Sequence, residues 1–152
     1  MEAIIGYDKK TMSNSSVRNG WLRKFLIYHL PAILYAGLII AVSSISNLKT
    51  PKIVNLQFDK IAHFIEYALL AFLVFRSAIN LGSKITRNRA FIIASVFVLI
   101  FAQFDELYQK MVPGRDASIG DLAVDLLGAA LVLILLWYRG KSPKTEAKEA
   151  EQ

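Results

Sequence analysis

From Phe25 to Ile45 the chain runs 21 residues without a charged side chain. At about 1.5 Å per residue that length spans the roughly 30 Å hydrocarbon core of a bilayer, so the segment reads as a membrane-spanning helix. It follows Arg23-Lys24, yet the apolar region of a secretion signal is only about 7 to 15 residues long. The segment is therefore expected to be an uncleaved anchor, with Pro31 tolerated near its start. An apolar content of 55% is high for a soluble domain and extends the same argument to the rest of the chain.

Three further apolar segments are centred on 61–75, 90–104 and 122–138. Each needs its polar flank to reach spanning length, which gives spans of about 25–45, 59–81, 88–109 and 119–139. The expected fold is all-α: a polytopic four-helix bundle over residues 25–140. A segment of residues 1–24 precedes it, and a polar tail from 141 to 152, rich in lysine and glutamate, reads as disordered. If the second helix ends near Leu81, Glu66 lies about 22 Å from that end, and Asp125 about 21 Å from Arg139. Neither acid can face lipid.

Orientation follows from lysine and arginine, which resist translocation. On one side fall Lys9, Lys10, Arg18, Arg23, Lys24, Arg76, Lys84, Arg87, Arg89, Arg139, Lys141, Lys144 and Lys148. On the other fall Lys49, Lys52, Lys60, Lys110 and Arg115, beside the acids Asp59, Glu66, Asp105, Glu106, Asp116, Asp121 and Asp125. Both termini are thus expected in the cytoplasm, and both acidic clusters outside it. The net charge of +6 becomes a topology signal rather than a nucleic-acid footprint. No cysteine is present, so disulfides and thiol catalysis are excluded, and no phosphate-cradling loop or zinc spacing occurs.

Ionisable residues at membrane depth mark a site by default. Residues three, four and seven apart share a helix face. Asp59, His63 and Glu66 form one such stripe, with Tyr67 beside it. Asp105 and Glu106 precede Gln109 by four and three residues, and Asp121, Asp125 and Gly128 continue one face of the fourth helix. These patterns, Phe58-Asp59-Lys60-Ile61-Ala62-His63-Phe64-Ile65-Glu66-Tyr67 and Asp105-Glu106-Leu107-Tyr108-Gln109, followed by Pro113-Gly114-Arg115, Ser118, Asp121 and Gly128, resemble the signature of the VanZ-like family. Ser43-Ser44 fits the same resemblance, which covers roughly residues 32–136. It implies a small four-span protein of the bacterial cytoplasmic membrane, in a family named after a protein associated with resistance to the glycopeptide teicoplanin. Asp125 departs from the family pattern, in which asparagine is usual there.

Each residue also has a scaffolding role to weigh. Asp59 is an equally good helix N-cap. Ser118 with Asp121 resembles a capping box, and Pro113-Gly114 is a turn signal. His63 fits a structural network better than a proton carrier or ligand. For Arg115 the acidic surplus favours neutralising the acids over gripping a ligand's carboxylate or phosphate. Lys60 and Lys110 are expected to snorkel to the surface, and Gly37 with Ala41, like Gly128 with Ala129 and Ala130, suits close helix packing. His29, alone in the first span, reads as a hydrogen-bonded helix histidine.

Seven acids with three basic residues and one histidine near them need protons, water or a cationic partner. The leading expectation is an extracytoplasmic cavity that binds a polar envelope ligand: a lipid headgroup, a cell-wall precursor or a glycopeptide. Its residues would be Asp59, His63, Glu66, Tyr67, Asp105, Glu106, Gln109, Arg115, Asp121 and Asp125. The alternative is a membrane-embedded enzyme using His63 and a carboxylate, with or without a divalent metal, on a lipid-linked substrate. An ion-coupled path fits less well, because the cytoplasmic halves of the spans carry almost no acid. The sequence specifies no cofactor.

Overall fold

In the computed structural model the described residues are 20–45, 55–115 and 118–139, with 55–58 described by backbone alone. The leader through residue 19, the tail from residue 141 and Asp116 lie outside the described residues. Four helices account for nearly all of the rest: α1 (Gly20–Ser43), α2 (Asn55–Ile79), α3 (Arg87–Gln109) and α4 (Ile119–Arg139). All four are long and apolar enough to cross a membrane. Among the described residues there is no strand.

Proline lacks an N–H and its ring clashes with the carbonyl four residues back. Just ahead of Pro31, α1 opens into a π-helical turn over Phe25–His29, where Leu30 N–H bonds to the Phe25 carbonyl. The wider turn absorbs the conflict, and the helix continues to Ser43. Thr86 starts α3, its side-chain oxygen accepting from Arg89 N–H at 3.3 Å, and Ser118 starts α4 by accepting from the N–H groups of Gly120 and Asp121 at 3.1 and 3.3 Å. Asp59 caps nothing. It stands four residues inside α2, which begins at Asn55.

Helix α2 is central and touches all three others, while α1 packs only on α2 and α3. Along α3 the buried stripe is Ala90, Ala94, Val98 and Ala102, small residues about one turn apart that let backbones approach closely. They meet Tyr67, Leu70, Ala71, Val74 and Ala78 of α2 in the core. On α4 the buried line is Asp125, Gly128, Ala129 and Leu133. A Cβ added at Gly128 would overlap the backbone carbonyl of Phe64, so α2 and α4 cross here at a separation glycine alone permits. Gly37 has no such role. It is exposed, and a Cβ there meets nothing within 4 Å, so the expected packing stripe with Ala41 faces outward.

The two ends of the bundle differ in chemistry. At one, the Arg76 guanidinium lies 5.2 Å over the Tyr28 ring, Arg87 lies 5.6 Å over Phe75 while donating to the Leu136 carbonyl, and Trp137 Nε1 donates to Asn88 at 3.2 Å. Arginine with aromatic rings is the usual furnishing of a membrane interface. At the other end the C-termini of α1 and α3 meet the N-termini of α2 and α4, and the acids gather there.

Candidate functional site

Antiparallel packing brings helix faces together that lie far apart in sequence, and at the acidic end it does so through polar side chains. Lys60 Nζ bonds Asp121 Oδ1 at 3.0 Å, joining α2 to α4. One turn deeper, His63 Nδ1 meets Asp125 Oδ1 at 3.0 Å, with both side chains buried. Tyr67 donates to Asp105 Oδ2 at 3.2 Å, which joins α2 to α3. Gln109 Nε2 donates to the same Asp105 oxygen at 2.9 Å and to Ser43 Oγ at 3.3 Å, and Ser44 Oγ bonds the Tyr108 hydroxyl at 2.9 Å. This ladder fastens α1 to α3. Lys60 therefore crosses to a neighbouring helix instead of snorkelling outward.

Beside the ladder is a cavity of about 130 Å³, lined by Val42 and Ser43 of α1, Asp59, Ala62, His63 and Glu66 of α2, Gln109 of α3, and Arg115. A tight turn delivers Arg115. Its N–H reaches back to the Val112 carbonyl at 3.3 Å, with Pro113 at the second turn position and Gly114 at φ 80, the pairing a type II turn requires. Arg115 Nη2 then donates to the Val42 carbonyl at 3.1 Å. Among the described residues no carboxylate pairs with Arg115, so the expected neutralisation of the acids gives way to a contact with the C-terminal end of α1, where helix carbonyls carry partial negative charge.

Of the ten residues singled out from sequence, Asp59, His63, Glu66, Gln109 and Arg115 line the cavity. Tyr67, Asp105, Asp121 and Asp125 stand behind it in the ladder. Glu106 is buried on α3, and its Oε1 has no hydrogen-bond partner; Asp105 Oδ1 and Arg115 Nε are buried and unpartnered too. Val42 escaped the sequence reading, and Ala62 entered it only as a member of the motif from Phe58 to Tyr67. An apolar side chain beside a cavity leaves no mark in sequence, and Ser43 stood out there only within the Ser43-Ser44 pair.

A second opening, about 480 Å³, lies between α1, α2 and α3 in the opposite half of the bundle. Its lining is apolar except for His29 and Ser77, which bond one another at 2.7 Å. With its one polar pair satisfied internally, it offers no convergent charge for chemistry. The smaller cavity does. Among the described residues, no three of the histidines and acids converge closely enough to hold a metal ion.

The VanZ/LLP1 family model matches residues 8–139. The chain belongs to the VanZ/LLP1 family. Both acidic motifs and the turn carrying Arg115 fall inside the matched range, so the cavity is assembled within the part of this VanZ/LLP1 protein that the family shares. No curated protein and no solved structure matches the chain.

Proposed function

We propose that this VanZ/LLP1 protein is a multi-pass protein of the bacterial cytoplasmic membrane that binds a polar envelope group in the cavity at its acidic end. In this reading both termini are cytoplasmic, as the basic-residue bias demands, and the cavity opens to the cell exterior. The ligand is a lipid headgroup, a cell-wall precursor or a glycopeptide, and its capture contributes to glycopeptide (teicoplanin) resistance.

One observation carries the reading. Glu66 and Arg115 line a common cavity at the acidic end of the bundle, and among the described residues neither forms a salt bridge or a side-chain bond to the other, although the neighbouring Asp121 and Asp125 are paired. Ionisable groups within membrane helices are costly and are normally paired. Unspent charge facing a cavity points to a ligand. The test is single variants Glu66→Gln, Arg115→Gln and Gln109→Ala, expressed and inserted at wild-type level. Loss of headgroup or glycopeptide binding, together with lower teicoplanin tolerance of the cells, is expected; three variants behaving as wild type in both assays end the proposal.

A second reading has its own observation in the pair His63 and Asp125. With Nδ1 held by the carboxylate, the ring is oriented and its other nitrogen, Nε2, makes no hydrogen bond among the described residues. That is how a general base is commonly positioned. Product analysis with envelope lipids separates the two readings, because a binding protein returns its ligand chemically unchanged.

A further inference from the structure

We infer that the cavity seats an alkylammonium group, with Glu66 as its counter-ion and Asp59 as a second carboxylate on the same lining; this rests on the ligand-binding reading above. Three acids of the acidic end already accept bonds from neighbouring helices or from their own. Asp121 is matched by Lys60 and Asp125 by His63, and Asp105 takes two bonds at Oδ2, from Tyr67 and Gln109. Asp59 and Glu66 make no hydrogen bond or salt bridge among the described residues, and both line the cavity. Two cations line the cavity: His63 is spent on Asp125, and Arg115 places its Nη2 on the Val42 carbonyl near the C-terminal end of α1, so Asp59 and Glu66 face one remaining cation. The balance left inside is negative.

Two further lining groups, Gln109 and Ser43, offer acceptor oxygens. Gln109 directs its Nε2 to Asp105 and Ser43, so its Oε1 is the end without a bond. Ser43 Oγ accepts from Gln109 and retains a further lone pair. A carboxylate, an amide oxygen and a hydroxyl oxygen on one lining suit an ammonium, which has three N–H donors and accepts nothing. A divalent cation fits less well, since calcium wants 6–8 oxygen ligands and no three acids or histidines converge among the described residues. A volume of about 130 Å³ is roughly ten times what a single water needs, enough for the tip of an organic amine.

The same tip is carried by aminated lipid headgroups and by free amines, and the experiment separates them. Purified protein in uncharged detergent is titrated calorimetrically with ethanolamine hydrochloride, and lipid retention is read by native mass spectrometry in phosphatidylethanolamine against phosphatidylglycerol. Ethanolamine binds to wild type, and Glu66→Gln weakens it at least tenfold with the thermal midpoint unchanged. Asp59→Asn, exposed and therefore harmless to folding, weakens it severalfold, and Ser77→Ala at the far end leaves it alone. Preferential retention of phosphatidylethanolamine identifies a lipid source; ethanolamine binding without that preference identifies a water-borne amine. Equal ethanolamine affinity in wild type and both carboxylate variants overturns the inference, as does full competition by sodium chloride, which reveals an inorganic cation site. Arg115-dependent preference for phosphatidylglycerol also overturns it while leaving the ligand-binding reading intact. If no headgroup binds and no cavity variant alters teicoplanin tolerance, both fall.

Discussion

A methyl group at Gly128 would meet the Phe64 backbone, which belongs to a helix and cannot swing aside as a side chain can. Gly128→Ala is therefore expected to destabilise the bundle by about 1–3 kcal/mol, the usual cost of overpacking, seen as a lower thermal midpoint in detergent. Asp125 invites a finer comparison, since its role at the α2–α4 contact is to accept from His63. Asparagine keeps an acceptor and the same shape, so Asp125→Asn should retain near wild-type stability, whereas Asp125→Leu strands the buried His63 ring and costs about 1–3 kcal/mol. A double-mutant cycle with His63→Ala should give a coupling of about 0.6–2 kcal/mol, the range for hydrogen bonds between membrane helices. Zero coupling would show the pair to be incidental. The spacing of Asp59, His63 and Glu66 was legible in sequence because helical periodicity is local. Their partners were not. That Lys60 reaches Asp121 and His63 reaches Asp125 depends on the axial register of α2 against α4, which only packing sets.

Helix limits follow the same division. Ser118 as the cap of α4 and Pro113-Gly114 as a turn are local chemistry, and both stand in the structure as their residue types demand. Asp59 was an equally plausible cap, but α2 starts earlier, at Asn55, in a stretch with no stronger cap signal than Asp59 itself. The turn after α3 matters beyond its own stability because it carries Arg115 to the end of α1. At Gly114, φ is 80, a conformation costing an L-residue about 1–2 kcal/mol. Gly114→Ala should lower stability by about that much and, by shifting Arg115 off the Val42 carbonyl, loosen the α1 terminus. Faster hydrogen exchange at the last turn of α1, with exchange in α4 unaffected, is the expected signature; uniform change across the helices would count against it.

At the scale of the molecule, two chemically distinct ends imply a fixed orientation, and the absence of cysteine makes it directly measurable. Met111→Cys at the acidic end should react with a membrane-impermeant maleimide in intact cells, and Leu81→Cys at the arginine end only after lysis; both positions are well exposed, at 80% and 58%. The reverse pattern would place the cavity in the cytoplasm and remove the envelope ligand from consideration. Four apolar spans, the all-α class and the family motifs follow from composition and periodicity, because a bilayer leaves a long uncharged segment few options other than a helix. Which acids face a cavity and which are spent on neighbours depends on relative rotation and register of helices, properties that no single segment encodes. Tertiary packing alone therefore turned a sequence with acids at both site motifs into one in which Asp121 and Asp125 are paired with cations while Asp59 and Glu66 stand without a salt bridge beside open space.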